Sequence, residues 1–147
     1  MKLIVASILI LILVIYFITA REKKSPIYST SSGALDGYDP VAYFKFNKAI
    51  MGKNRYTCKW EYATWYFINH EHQRLFMENP EKYAPEFDGY CAYAMAKGKK
   101  CKIDPESWEI VNGKLYLNYG PGIHRKWLKN RSEFIRKANE NWDKLYT

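Results

Sequence analysis

The chain reads as a small α+β domain of short antiparallel hairpins and helices, preceded by an N-terminal transmembrane helix. Three observations predict this. Residues 3–20 carry no charge, and eighteen helical residues at about 1.5 Å each roughly match the apolar thickness of a bilayer. Between Arg55 and Tyr62 the side chains of Tyr56, Cys58, Trp60 and Tyr62 alternate with polar ones, the period of a half-buried strand. Phe134, Ile135, Ala138, Trp142 and Leu145 recur at helical spacing behind Ser132, giving an amphipathic C-terminal helix.

Residues 1–20 are read as a signal anchor. Their apolar run exceeds the roughly 7 to 15 residues of a cleavable signal peptide, with cleavage near Ala20 as the alternative. Residues 21–33 (REKKSPIYSTSSG) are small, polar and charged and read as a linker, so the domain is expected over 34–147. Residues 64–68 continue or pair with the 55–62 strand. Asn69 is placed to cap a helix over 71–78 that buries Leu75 and Phe76 and stops before Pro80. Residues 80–96 (PEKYAPEFDGYCAYAMA) hold two prolines and a glycine and cannot form one regular helix, so Asn79 and Ala84 are expected to be extended and the chain to turn at Asp88-Gly89. Residues 108–118 form a hairpin, because Asn112-Gly113 accepts the positive φ of a type I′ turn. No internal repeat stands out.

The stretch after the apolar run is long enough for one domain with its own core, and thirteen tyrosines with five tryptophans make that core aromatic. A net charge of +8 invites a nucleic-acid reading. If the domain is held outside a membrane, residues 97–102 (KGKKCK) and 125–136 face anionic lipid headgroups or envelope polymers, or simply water, and nucleic acid is then not expected as a partner.

Four blocks, GYDPVAYF at 37–44, TWYF at 64–67, residues 80–96 and DPESWEIVNGKLYLN at 104–118, resemble in order the longer, exported type of YHS-domain protein. The resemblance runs from Ala34 to Leu145. It implies an exported domain, and so sets the N-terminus inside, where Lys2 against Arg21, Lys23 and Lys24 leaves the orientation open. It also implies a binding role, for a metal ion such as copper or zinc or for a small ligand, without a defined catalytic activity. The short YHS domains of metal-handling proteins resemble DPVCGM followed by YYFCSxxCxxxF, with the cysteines as ligands. Here Ala42 and Ile68 stand at two of those cysteine positions and His72 at the third.

The candidate metal ligands are accordingly His70, His72 and Cys91, and the candidate ligand-binding residues Tyr90, Cys91 and Tyr93. No CxxC, HxxxH or HExxH spacing is present. On a helix His70 and His72 point about 200° apart and are expected as solvated residues of a first turn, whereas on an extended segment they could share an ion. His124 is expected as a surface residue at a helix start. Cys91 reads equally as buried filler or as a thiol at a pocket rim, and an oxidising location would permit a disulfide, most simply with Cys101. Asp36, Asp39, Glu86, Asp88 and Asp104 sit beside Gly or Pro and are expected to cap turns. Three function classes follow: an anchored extracytoplasmic binding domain, an envelope interaction protein using its basic surface, and a thiol redox protein using Cys91.

Overall fold

The computed structural model describes residues 26–146, so the apolar run at 3–20 and its expected membrane span lie outside the described residues. Among the described residues no helix is long and apolar enough to cross a membrane. The fold of the described residues is α+β, with six strands in three separate two-stranded antiparallel hairpins. The strands are β1 (Ser29–Thr30), β2 (Gly33–Ala34), β3 (Lys53–Trp60), β4 (Ala63–Phe67), β5 (Asp104–Val111) and β6 (Lys114–Asn118). The helices are α1 (Pro40–Phe46), α2 (His70–Glu78), α3 (Pro80–Tyr83), α4 (Ala92–Met95), α5 (Pro121–Lys129) and α6 (Arg131–Tyr146).

Residues 26–33 belong to the fold rather than to a linker. Ile27 is buried in the core, the Tyr28 N–H donates to the Asp88 carbonyl at 2.8 Å, and β1 pairs with β2. The polar composition misleads here because one apolar side chain and a two-residue strand pair suffice to tie down the segment. Residues 64–68 prove to be the partner of the preceding strand. The connection is Glu61-Tyr62, both at positive φ (49° and 60°), a hairpin turn without the usual Asn or Gly. Tyr62 therefore sits exposed at the tip instead of extending the half-buried face of Tyr56, Cys58 and Trp60.

The other expected elements form with small shifts. Asn69 caps α2 by accepting from the His72 N–H, and Asn79 leaves the helical region, after which Pro80 opens α3. Ala84 is extended, Phe87 and Asp88 are left-handed, and Gly89 completes the turn at φ 84°. Asn112 and Gly113 join β5 to β6 at positive φ. Along α6 Ala138 is buried and Phe134, Ile135 and Trp142 are partly buried, while Leu145 is half exposed.

The two halves of the domain repeat one plan, an internal repeat that the sequence hides. Leu35 and Asp36 are left-handed, Gly37 follows at φ 84°, Tyr38 is extended and Asp39 caps α1. Phe87 and Asp88 are left-handed, Gly89 follows at φ 84°, Tyr90 is extended and Cys91 caps α4. Each half then makes a hairpin of an 8-residue and a 5-residue strand, with the register broken between Lys53 and Thr57 in one and between Asp104 and Trp108 in the other. Each continues into a 9-residue helix, α2 or α5, and a second helix starts two residues after it ends. Residues 35–83 and 87–134 are thus two copies of a turn, helix, bulged hairpin and helix. In that correspondence Ala94 matches Ala42, Tyr119 matches Ile68 and Ile123 matches His72.

The core is divided to match. One cluster gathers Trp65, Phe67, Phe76, Tyr43, Leu115 and Leu117, and a second under α6 gathers Phe87, Met95, Tyr116, Trp127 and Ala138. Because side chains alternate along a strand, β6 serves both, with Leu115 and Leu117 on one side and Tyr116 on the other. The Tyr43 hydroxyl, buried on α1, donates to the Pro105 carbonyl at 3.0 Å and fastens the first copy to the second.

Gly52 marks a close approach. A Cβ there would lie 2.5 Å from the Tyr66 carbonyl carbon and 2.7 Å from the Phe67 nitrogen, both backbone atoms that cannot swing away. Gly52→Ala is expected to destabilise the domain by about 1 to 3 kcal/mol through overpacking. At Gly113 a Cβ meets nothing and only the positive φ opposes it, so Gly113→Ala is expected to cost about 1 kcal/mol or less. Urea unfolding of both variants measures the difference.

Candidate functional site

The repeat places two equivalent sites in the molecule, and each begins at a helix cap. In the first, Asp39 is fully buried and its carboxylate receives four hydrogen bonds. Oδ1 accepts from the N–H of Val41 at 2.8 Å and of Ala42 at 3.2 Å. Oδ2 accepts from the Ile68 N–H at 2.9 Å and from His72 Nδ1 at 2.7 Å. Since a carboxylate only accepts, His72 donates to it from Nδ1. Phe46 covers the imidazole face to face, with ring centres 5.3 Å apart.

The three positions at which the resembled metal-handling domains carry cysteine, Ala42, Ile68 and His72, therefore meet at one carboxylate. Only His72 among them bears a ligating atom. It is not the solvated first-turn histidine that helical spacing suggests, for it is buried and paired with Asp39, while His70 is exposed. Asp39 caps a helix as expected and carries a buried ion-pair geometry besides. Among the described residues no group of three or more His, Cys, Asp or Glu is arranged to hold a metal, so His70, His72 and Cys91 do not converge.

In the second site Cys91 takes the place of Asp39. Its Sγ accepts from the Ala94 N–H at 3.4 Å, and its thiol lies 3.8 Å from Asn118 Oδ1. Burial pushes the Cys91 thiol up, against the opposing pull of the Ala94, Tyr119 and Tyr93 N–H groups. Those three groups are the counterparts of the Ala42, Ile68 and Val41 N–H groups on Asp39, so the same backbone cradle holds a carboxylate in one copy and a thiol in the other. Asn118 is fully buried; its Oδ1 accepts from the Tyr93 N–H at 3.2 Å and its Nδ2 lies 3.3 Å from His124 Nδ1. His124 is thereby a partly buried partner of the second site rather than a free surface residue.

Where His72 fills the first site, its counterpart Ile123 leaves the second open. An apolar cleft of about 270 Å³ is lined by Cys91, Tyr93, Ala94, Cys101, Tyr119 and Ile123. Cys91 and Tyr93, both expected at a ligand site, line it. Tyr90 does not; it packs edge-on against Tyr28 at 5.6 Å and lies under the Lys100 ammonium at 5.1 Å. Cys91 and Cys101 are both free thiols, joined by a hydrogen bond from the Cys91 N–H to the Cys101 carbonyl at 3.1 Å. A second cleft of about 760 Å³ shares Tyr119 and Ile123 with the first and adds Asp104, Arg125, Lys126 and Lys129.

Sequence reasoning reached Cys91 and Tyr93 but missed Asn118 and the Asp39–His72 pair. The available signal was the repeated Asp-Gly-Tyr at 36–38 and 88–90, which sets Asp39 and Cys91 in the same position.

Removing the Asp39 carboxylate leaves the Val41 and Ile68 N–H groups and an imidazole without their acceptor, while the Ala42 N–H keeps only the Asp39 backbone carbonyl. Asp39→Ala is expected to destabilise the domain by about 3 to 5 kcal/mol, measured by urea unfolding. Cys58, on β3, is half-buried, and burial pushes its thiol up to about 11. The unfolded chain releases that proton near roughly 8.5. The stabilisation from holding it is complete below that pH and is lost as pH rises toward 11, so Cys58→Ala is expected to flatten the alkaline fall in stability above about pH 8.5. Thermal unfolding across pH 7 to 11 checks this.

Compared with family models, with curated proteins and with solved structures, the chain matches none, and a functional reading works from the geometry of the two sites.

Proposed function

We propose that the protein is a membrane-anchored, extracytoplasmic binding domain of the YHS type that holds a small ligand in the cleft beside Cys91. The observation that carries this reading is the contrast between the copies. One cradle is closed by Asp39, His72 and Phe46, and its counterpart opens into an apolar cleft walled by Cys91, Tyr93, Ala94, Cys101, Tyr119 and Ile123. Apolar concavities with a few polar groups at one end are the usual form of small-molecule sites. The small-ligand version is favoured over copper or zinc because a soft metal needs several thiolates or imidazoles, and the first site has one imidazole whose Nδ1 is committed to Asp39. The anchor is supported by the charge-free run at 3–20, which ends seven residues before the buried Ile27.

A second reading, an envelope interaction protein with a basic surface, has its own support. Lys97 lies over Tyr93 and Phe134, Lys100 over Tyr90 and Trp142, and Lys102 over Tyr119, all within 5.7 Å of the ring centres. These lysines hold fixed places among aromatic rings, a surface suited to anionic lipid or polymer. A thiol redox protein is the least supported class, because burial holds Cys91 in the unreactive thiol form.

Ligand-observed NMR of the full chain against small aryl and short aliphatic compounds tests the proposal. Compounds are expected to bind and to be lost when Ala94→Phe fills the cleft, with the fold retained by circular dichroism. The same compounds binding both proteins alike, or no compound binding either, would overturn the reading.

A further inference from the structure

The two copies also differ in charge, and the difference falls at the mouth of the Cys91 cleft. On α2, Arg74 and Glu78 stand one turn apart and form an ion pair at 2.5 Å. Their counterparts on α5 are Arg125 and Lys129, so the acid of the first copy is a base in the second. Lys126 takes the position of the partly buried Leu75. Arg125, Lys126 and Lys129 line the basic cleft, and among the described residues none of them has a carboxylate partner. Asp104 lines the same cleft, but its oxygens already accept from the Glu106 N–H and the Ser107 hydroxyl, each at 3.0 Å. Like charges one turn apart weaken a helix, and three cations left together gain when an anion joins them.

Both clefts share the Tyr119 and Ile123 walls, so a molecule lying across them meets apolar surface at one end and cationic side chains at the other. We infer that the ligand of this site is a small amphipathic anion, with an aryl or short-chain body against Cys91, Ala94 and Cys101 and a carboxylate or phosphate between Arg125, Lys126 and Lys129. This rests on the reading of the Cys91 cleft as the binding site and adds the charge of what it binds. The step is binding alone; no bond is made or broken.

The test uses the full chain in phosphatidylcholine nanodiscs, with phenyl phosphate as the probe, benzyl alcohol as the body without the charge and inorganic phosphate as the charge without the body. Phenyl phosphate is expected to bind at least tenfold more tightly than either control. Lys129→Glu restores the ion-pair pattern of α2 and so leaves the helix at least as stable in thermal unfolding, yet it is expected to weaken phenyl phosphate at least tenfold while benzyl alcohol is unchanged. Ala94→Phe is expected to weaken both.

Equal binding of phenyl phosphate to wild type and Lys129→Glu would overturn the anion while leaving the cleft reading intact, provided Ala94→Phe abolishes it. Phenyl phosphate binding unaffected by Ala94→Phe would overturn both. No phenyl phosphate binding would overturn the inference, and benzyl alcohol binding alone would keep the cleft. Phosphatidylglycerol in the nanodisc separates the sources: displacement of the probe identifies a lipid headgroup, and undiminished binding identifies a free amphiphile, each consistent with the same chemistry.

Discussion

The carboxylate of Asp39 is the point on which the first half of the domain hangs. It starts α1 by taking two of that helix's free N–H groups, stops the chain leaving β4 by taking the Ile68 N–H, and fixes α2 through His72. The start of α1 and the junction of β4 with α2, about thirty residues further along the chain, meet directly at its two oxygens. A group that satisfies so many donors stabilises by completing a network, and the network tolerates no partial loss, since each orphaned donor would remain buried. That is why the strands can be short. The hairpins of this fold are two-stranded and would be marginal alone; buried polar joints and aromatic packing hold them against the helices.

The second half keeps the backbone of that joint and changes its chemistry. With a thiol in place of the carboxylate and isoleucine in place of histidine, the ionic tie between cap and helix is gone. The buried amide of Asn118 takes over part of the bridging, reaching Tyr93, Cys91 and His124. Elsewhere the second copy is tied by contacts the first lacks: the Trp127 indole donates to Glu109 at 3.2 Å, Glu109 pairs with Arg131, and α6 packs its apolar stripe beneath. The second copy is thus tied more at its flanks and less at its cradle.

Much of this was legible from the chain and some was not, for definite reasons. The hairpin at Asn112-Gly113, the Asn69 cap and the apolar stripe of α6 are local signals, and local signals survive in a sequence. The Glu61-Tyr62 turn gave none, because its residues pay for positive φ through the packing of β3 on β4, where Ala63, Trp65 and Phe67 are buried. Ile27 was hidden by its polar neighbours. The pairing of Asp39 with His72 joins residues that no periodicity connects. Cys91 and Tyr93 stood out for their setting among turns, but what opens beside them depends on Ile123, an ordinary helix residue until it is set against His72. The repeat is faint in the sequence because its copies share backbone conformation and element length far more than side chains.

A chain that writes the same unit twice faces a hazard in reaching its native state. β3 and β5 are the same length, β4 and β6 likewise, and both hairpins break register at the same place, so a strand of one copy could pair with the wrong partner before either hairpin is secured. The unlike turns act against that error. Asn112-Gly113 is a ready type I′ turn and favours early closure of the second hairpin. Glu61-Tyr62 has no residue that favours positive φ, so its hairpin relies on the packing around Trp65. Such unlike turns would stagger the two closures in time and so keep the copies from exchanging strands.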